Sequence, residues 1–193
     1  MKKLLIVIVL LIATARISCS QSLRVTRFAE EEGLPSSLIK SVVRDGNGIL
    51  WAASDDGLIR FDGFEFKLFS HELPDNYVKS LCLTGDGGIL VSTDMGVSLV
   101  TDVSGVTSFR TIARGALKQT DTAMWYPKMF FQDQQKRIWL SDNHKLYRFN
   151  GRNFRAYALG PEVATNDYNR SFSFADDGNG RLFAFAETGG TFI

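Results

Sequence analysis

Residues 64–69 of the chain, FEFKLF, alternate between apolar and charged side chains over their first five positions. Successive side chains of a β-strand point to opposite faces, so this alternation predicts a strand with Phe64, Phe66 and Leu68 on one face. Apolar runs at residues 38–44, 49–53 and 58–61 predict three strands before it. The turns between these strands, DGNG, SDDG and FDGF, contain the glycine and asparagine that tight hairpins require. No segment after residue 20 has helical periodicity.

This four-strand pattern recurs along the chain. The turn DGNG begins at Asp45 and again at Asp177, 132 residues later, with the degenerate turns GDGG and DQQK between them. Residues 54–69 also align without a gap to residues 142–157. The four copies can be aligned on the third residue after each turn. These residues are Trp51, Val91, Trp139 and Phe183, and they lie 40, 48 and 44 residues apart.

Repeats of this length, each with four short strands, are typical of a β-propeller. We therefore predict an all-β fold, a partial β-propeller of about three and a half four-stranded antiparallel blades within residues 21–193. The predicted blades are residues 33–70, 72–112, 122–160 and 167–193. In this interpretation DGNG is a hairpin turn. A calcium loop needs an oxygen ligand at the position of Ile49 and a glycine at the position of Leu50.

The first 20 residues predict a secretory signal peptide. Two lysines precede an apolar run over residues 4–15, and the small residues Ser18 and Ser20 precede a cut before Gln21. We therefore expect export to the periplasm. Two alternatives stay open: an uncleaved membrane anchor, and a lipid anchor at Cys19, against which Arg16 stands where such a motif has leucine.

The composition and the few potentially reactive residues exclude several classes of function. The net charge of +1, with no basic stripe, argues against nucleic-acid binding. Cys82 lies in an apolar run and is predicted to be a buried core residue. His71 and His144 have no neighbours at metal-ligand spacing, so we expect exposed loop residues, no metal site and no cofactor.

An enzyme is the least favoured class. Residues 84–91 come close to the Asp-box of sialidases, which are propellers, but the other three copies do not keep its spacing. Neither an arginine triad nor a Ser-His-Asp set can be identified. We expect no catalysis by this chain on its own.

The segment EEGLPSSLIKSVVRDGNGILWAASDDGLIRFDGFEFKLFS resembles the two-component regulator propeller repeat. That repeat has a GLP-like entry, then D-x-x-G-x-[IL]-W, then G-L-x-R-[FY]-[DN]. The first copy matches it closely, and the third has Lys145 in place of the turn glycine. The second is weaker, with Val91 in place of tryptophan, and the fourth stops in its third strand. The resemblance covers residues 23–193.

The resemblance implies a role for the whole protein. Members of that family use such repeats in the exported sensor region of membrane hybrid histidine kinases of Bacteroides-type bacteria, where they sense breakdown products of complex carbohydrates. It implies an oligosaccharide ligand, a missing kinase, and membrane attachment through the signal peptide or a missing carboxy-terminal part. The alternative is a structural or protein-interaction propeller of a periplasmic or surface assembly without a kinase.

A partial ring has consequences for stability. The strand predicted at residues 23–28, LRVTRF, commonly completes the last blade of a closed propeller, and that blade is missing here. Unpaired edges and an uncovered sheet face are an aggregation hazard. We therefore expect the chain to be poorly stable or oligomeric by itself, and to pack on the remaining blades or on a homodimer partner in the full-length protein.

A ligand site is expected where the inner strands begin. Aromatic rings there can stack on sugars, and arginine or asparagine can bind hydroxyl groups. The long insert at residues 115–127 lies in the same region. For Trp125 and Tyr126, packing between blades is the alternative interpretation. The candidate ligand-binding residues are Asn76, Tyr77, Trp125, Tyr126 and Arg170.

Overall fold

The first repeat forms one antiparallel sheet whose four strands pair in chain order. A computed structural model describes residues 25–117, 123–143, 145–158, 172–186 and 191–192. A short 3-10 helix, Glu30–Glu32, precedes the sheet. Its strands are β1 (Ile39–Arg44), β2 (Leu50–Ser54), β3 (Leu58–Phe61) and β4 (Phe66–Phe69).

Three further sheets follow. The second consists of β5 (Val78–Leu83), β6 (Ile89–Thr93), β7 (Gly96–Val103), β8 (Val106–Ala116) and the two-residue β9 (Met124–Trp125), which adds to β8 in parallel. The third consists of β10 (Phe130–Gln132), β11 (Ile138–Ser141), β12 (Lys145–Phe149) and β13 (Phe154–Ala158). The fourth consists of β14 (Phe172–Asp176), β15 (Leu182–Ala186) and β16 (Thr191–Phe192).

The prediction of an all-β partial propeller with about three and a half blades is confirmed, with β9 as an unpredicted addition. Among the described residues, no helix is long and apolar enough to cross a membrane. The predicted signal peptide at residues 1–20 lies outside the described part of the chain.

The DGNG turns are hairpins, as predicted, and the aspartate that begins each turn holds it together. Asp45 Oδ1 accepts hydrogen bonds from the backbone N–H groups of Asn47 and Ile49, at 2.9 and 3.0 Å. Its Oδ2 accepts the indole N–H of Trp51 at 2.9 Å. The aspartate therefore closes the turn and orients the tryptophan that the next sheet covers.

The third sheet repeats this arrangement in a more buried form. Asp133 accepts the indole N–H of Trp139 at 3.0 Å and the N–H groups of Arg137. In the fourth sheet Asp177 accepts the N–H groups of Asn179 and Arg181. The residue in the tryptophan position there is Phe183, whose side chain has no N–H group to donate.

The turn hydrogen bonds correct the predicted alignment of the second repeat. Thr84 N donates to Gly88 O, as Asp45 N donates to Ile49 O, so Thr84 takes the place of the aspartate. The residue in the tryptophan position is therefore Leu90, and the prediction of Val91 was wrong by one residue. The four copies are 39, 49 and 44 residues apart. The sequence alignment failed because residues 88–91, GILV, match residues 48–51, GILW, while a threonine stands where the other turns have aspartate.

Two strand predictions in the first repeat also need correction. Strand β4 begins at Phe66 and not at residue 64, because Asp62 Oδ1 accepts the N–H groups of Phe64 and Glu65, both at 3.0 Å, and keeps them in the turn. The Phe64 side chain is consequently exposed. The described residues of the strand predicted at 23–28 form no strand. Instead, the ring of Phe28 packs edge-on against Phe66.

Each sheet has a forward face toward the next sheet along the chain and a backward face toward the preceding one. Trp51, Leu58 and Phe69 on the forward face of the first sheet form one core with Leu81 and Ile89 on the backward face of the second. The second and third sheets, and the third and fourth, share further cores. Burial of each such side chain contributes about 1.5–3 kcal/mol, so stacking the sheets stabilises the fold.

A glycine fixes the turn between the second and third strands of the first two sheets. Gly57 has a φ of 146°, and a Cβ there would lie 2.3 Å from the carbonyl oxygen of Phe69. Gly96 has a φ of 150°, and a Cβ there would lie 2.5 Å from the carbonyl oxygen of Ala113. The close approach of the fourth strand excludes a side chain at both positions. The third sheet has Lys145 at this position, as the sequence indicates.

Asp133→Asn tests the turn-to-tryptophan hydrogen bonds. The substitution removes a buried carboxylate that accepts three hydrogen bonds. Hydrogen bonds to charged groups contribute about 1.5–3 kcal/mol each, so we expect a loss in the free energy of unfolding of at least about 1.5 kcal/mol. The measurement is urea denaturation. Asp177→Asn, in a turn without an indole donor, is the matched control and should lose much less. Equal losses would contradict the role given to the indole bond.

The same carboxylate predicts acid sensitivity. Burial alone would raise the pKa of Asp133, but hydrogen bonds from Trp139 and Arg137 outweigh burial and lower the pKa below its usual value of 3.8. A carboxyl group with a lowered pKa stabilises the folded state above its unfolded pKa, and this stability is lost as the pH falls through the folded pKa. The free energy of unfolding should therefore fall below about pH 4, and fall less steeply in Asp133→Asn. An unchanged slope would contradict the assignment.

Candidate functional site

A cleft of about 780 Å³ opens where the inner strands of the first three sheets begin. We call it the inner-strand cleft. One part of its lining consists of lysine, tyrosine and serine side chains. Met129 and Phe130, at the start of the third sheet, form an apolar wall. The lining residues are Lys40, Ser41, Tyr77, Lys79, Ser80, Leu81, Asp94, Tyr126, Lys128, Met129 and Phe130.

Two lysines of the cleft are held by aspartates from the glycine-fixed turns. Lys40 forms an ion pair with Asp55, and Lys79 forms the same pair with Asp94 in the next sheet. Both lysine side chains are mostly buried, at 25% and 18% exposed. Because each aspartate fixes its lysine, the two lysine ammonium groups have defined positions in the cleft.

Each of these lysines also contacts a tyrosine that precedes the inner strand of the following sheet. The Nζ atom of Lys40 lies 3.1 Å from the ring centroid of Tyr77, and that of Lys79 lies 5.4 Å from the ring centroid of Tyr126. A lysine over an aromatic face is attracted by the ring quadrupole. The unit of aspartate, lysine and next-sheet tyrosine therefore occurs twice along the cleft.

Serine hydroxyl groups join the inner strands beneath these units. Ser41 Oγ accepts the N–H of Leu81 at 3.3 Å, and Ser80 Oγ accepts the N–H of Phe130 at 3.1 Å. Ser92 Oγ donates to the carbonyl oxygen of Lys128 at 2.7 Å. All three bonds cross from one sheet to the next, and the first two fix the distance between neighbouring inner strands.

The third sheet departs from the repeated unit. Counting 49 residues from the second sheet places Lys128 in the lysine position and Asn143 in the aspartate position. The Asn143 side chain is fully buried, and its backbone N–H donates to the carbonyl oxygen of Trp125 at 3.0 Å. The cleft is therefore bounded by three lysines, of which the first two face aspartates from their own sheets.

The predicted site residues have different locations. Tyr77 and Tyr126 both line the inner-strand cleft. Asn76 is exposed and immediately precedes Tyr77, but it is not among the lining residues. Trp125 is buried, 5% exposed, and is not among the lining residues. Arg170 lies outside the described residues.

Trp125 is held from two sides. Asp142 Oδ2 accepts the backbone N–H of Trp125 at 2.9 Å and the hydroxyl of Tyr147 at 2.7 Å. Burial and the negative charge of Asp142 both raise the pKa of Tyr147, so its hydroxyl stays protonated and donates. The indole N–H of Trp125 points to Leu117 O at 3.4 Å. Trp125 thus supports the backbone that carries Tyr126.

The predictions of a buried Cys82 and an exposed His71 are confirmed. Cys82 is 8% exposed in the core, and burial raises its pKa to about 11, which keeps the thiol protonated. His71 is exposed, and His144 lies outside the described residues. Within the described ranges no three His, Cys, Asp or Glu residues are grouped closely enough to hold a metal ion.

The lysines and their aspartates were missed as site residues. The sequence contains the signal, because Lys40-Ser41 recurs as Lys79-Ser80 and Asp55 recurs as Asp94, each 39 residues later. Tyr77 and Tyr126 are likewise 49 residues apart. These coincidences become meaningful only once the spacings of 39 and 49 are known, and the misaligned second turn obscured them.

No protein-family model matches the chain, and no curated protein is significantly similar to it in sequence. Solved structures show the fold. The extracellular domain of a proposed hybrid two-component system from Bacteroides thetaiotaomicron is 15% identical over 88% of this chain, with a TM-score of 0.60. That of a proposed one-component system from the same bacterium is 19% identical over 86%, with a TM-score of 0.62.

An enzyme has a similar fold. Virginiamycin B lyase from Staphylococcus aureus is 12% identical over 90% of this chain, with a TM-score of 0.57. The chain spans 60% of the lyase but only 23% and 21% of the two Bacteroides domains. The likeness confirms a propeller fold. It agrees with the resemblance to the two-component regulator propeller repeat at the level of the fold.

Proposed function

We propose that this chain contributes to the exported, ligand-sensing propeller of a two-component signalling system, and that the inner-strand cleft binds oligosaccharides. The observation that carries the proposal is the twice-repeated unit of aspartate, lysine and tyrosine in that cleft. The fold it shares with extracellular domains of proposed Bacteroides signalling systems supports the sensor role.

The chemistry of the cleft suits a sugar ligand. Sugar rings present an apolar C–H face, which packs on aromatic rings such as those of Tyr77 and Tyr126. The hydroxyl groups of a sugar both donate and accept hydrogen bonds. The pair of Lys79 and Asp94 offers a fixed donor and a fixed acceptor side by side. A few placed polar groups in a partly apolar concavity are typical of small-ligand sites.

In this proposal the chain senses and does not catalyse. Unrelated functions share the propeller fold, so the lyase likeness supplies no reaction. Export to the periplasm, with anchoring in the inner membrane through a longer polypeptide, completes the proposal. It draws on the hydrophobic leader in the sequence and on the extracellular location of the similar domains.

A second function, that of a protein-interaction propeller, is favoured by one observation. Val42 and Leu50, on the backward face of the first sheet, are 56% and 36% exposed. Apolar residues grouped on a sheet face indicate a partner surface. This function would use sheet faces, whereas the sensor function uses the inner-strand cleft.

Calorimetric titration with oligosaccharides tests the sensor proposal. The chain, purified from the periplasm, is titrated with a panel of neutral and acidic plant and host oligosaccharides. Tyr77→Ala and Tyr126→Ala should each weaken binding about two- to twelvefold, because one aromatic stacking contact contributes about 0.5–1.5 kcal/mol.

Phe64→Ala is the matched control, because Phe64 is an exposed aromatic residue, 96% exposed, in a turn that does not line the cleft. It should bind as the unaltered chain does. The proposal fails if no oligosaccharide binds, or if the two tyrosine variants bind with unchanged affinity.

A further inference from the structure

A lysine stands at a glycine position in the turn between the first two strands of the third sheet. The fourth residue of this turn is a glycine in the other three sheets, with φ angles of 88° at Gly48, 86° at Gly87 and 98° at Gly180. In the third sheet it is Lys136, whose φ is 63°. This left-handed conformation is unfavourable for a residue that has a Cβ. Lysine therefore occupies a position where the three related turns have no side chain.

Lys136 lines a second cleft, of about 430 Å³, between the second and third sheets. We call it the turn-edge cleft, because it lies where the inner strands end, away from the inner-strand cleft. One wall is formed by residues 84–86, and the other by residues 136–138 and 148–151. All strands of both sheets are described, and the volume lies in the range of about 300–1,000 Å³ that small-ligand sites occupy.

The turn-edge cleft is open because a bridge between sheets is replaced. Between the first two sheets, Arg60 Nε donates to Asp102 Oδ2 at 3.1 Å, and both side chains are mostly buried. The corresponding residues at the next interface are Leu99, which packs in the core, and Gly151. A Cβ at Gly151 would meet nothing within 4 Å. The space that an ion pair fills at the first interface therefore stays open at the second.

The lining of the turn-edge cleft has more positive than negative charge. It includes Lys136, Arg137 and Arg148, with Asp86 as the carboxylate among the described lining residues. The guanidinium of Arg137 is held by an ion pair with Asp133. Among the described residues, no carboxylate forms an ion pair with Lys136. The ammonium group of this exposed lysine is therefore placed to bind an anion.

We propose that the turn-edge cleft binds an acidic monosaccharide unit. The carboxylate of the sugar pairs with Lys136, and Arg148 lies on the same wall. The half-buried ring of Phe149 offers an apolar surface to the C–H face of the sugar. Asp86, which accepts the hydroxyl of Thr84, can also accept a sugar hydroxyl. Unfavourable backbone conformations cluster at functional sites, which accounts for lysine at a glycine position. This site is independent of the ligand proposed for the inner-strand cleft.

Nuclear magnetic resonance titration of the ¹⁵N-labelled chain tests the proposal and locates the ligand. The probes are glucuronate, its neutral counterpart glucose, and acetate, which has the charge without the sugar. We expect glucuronate to bind more tightly than glucose or acetate and to shift the amide signals of residues 84–86, 136–138 and 148–151. Lys136→Met removes the charge and should weaken glucuronate binding at least about tenfold, because it removes a hydrogen bond between charged groups.

Lys67→Met is the matched control for charge. Lys67 is also an exposed lysine, and it lines neither cleft. This variant should bind glucuronate as the unaltered chain does. The proposal is overturned if glucuronate does not bind, if glucose or acetate binds as tightly, if the shifts are confined to the inner-strand cleft, or if Lys136→Met binds with unchanged affinity.

Urea denaturation tests separately whether lysine is costly in this turn. Lys136→Gly should raise the midpoint above that of Lys136→Met and should also lose glucuronate binding, because glycine adopts the left-handed conformation freely. Gly87→Lys is the reverse substitution in the second sheet, where a Cβ would meet nothing within 4 Å. It should lower the midpoint through its backbone conformation alone. If neither glycine exchange moves the midpoint, lysine costs nothing in this turn and the inference is overturned.

Discussion

A four-stranded sheet with apolar residues on both faces is not stable in water unless other sheets cover it, and the rest of this structure follows from that constraint. The first three sheets carry buried residues on alternating positions of their strands, and each contributes to a core shared with its neighbour. The turn aspartates serve the same end. Asp45 and Asp133 orient the indoles of Trp51 and Trp139. The Trp51 ring belongs to the core that the first two sheets share, and Trp139 is buried, 8% exposed.

The same stacking creates the candidate site. Because consecutive sheets present equivalent residues at equivalent places, a lysine near the start of an inner strand recurs in each of the first three sheets. The turn glycines place an aspartate beside the first two of these lysines. Serine hydroxyl groups then hold neighbouring inner strands together. Stacking of the sheets therefore brings residues that are distant in sequence to one cleft. The third sheet has Asn143 in the aspartate position and an apolar wall at Met129 and Phe130, so the two sides of the cleft differ.

Much of the architecture could be predicted from the sequence, because tight turns and alternating strands are local signals. The bounds of β3 were predicted without error, and those of β1 and β2 to within one residue. Errors arose where side chains decide the local structure. The carboxylate of Asp62 delays β4, and a threonine in place of aspartate conceals the true start of the second turn. Of the predicted site residues, Tyr77 and Tyr126 line the cleft, while Trp125 is buried by contacts that no local pattern announces.

The central claim is that the inner strands of a propeller form a binding cleft. Amide hydrogen exchange, measured by mass spectrometry with and without a bound oligosaccharide, tests it most directly. The account predicts slower exchange at residues 39–41, 77–81 and 126–130, where the inner strands enter the cleft. Slower exchange confined to the outer strands β4, β8 and β13, or no change in any segment on binding, would contradict it.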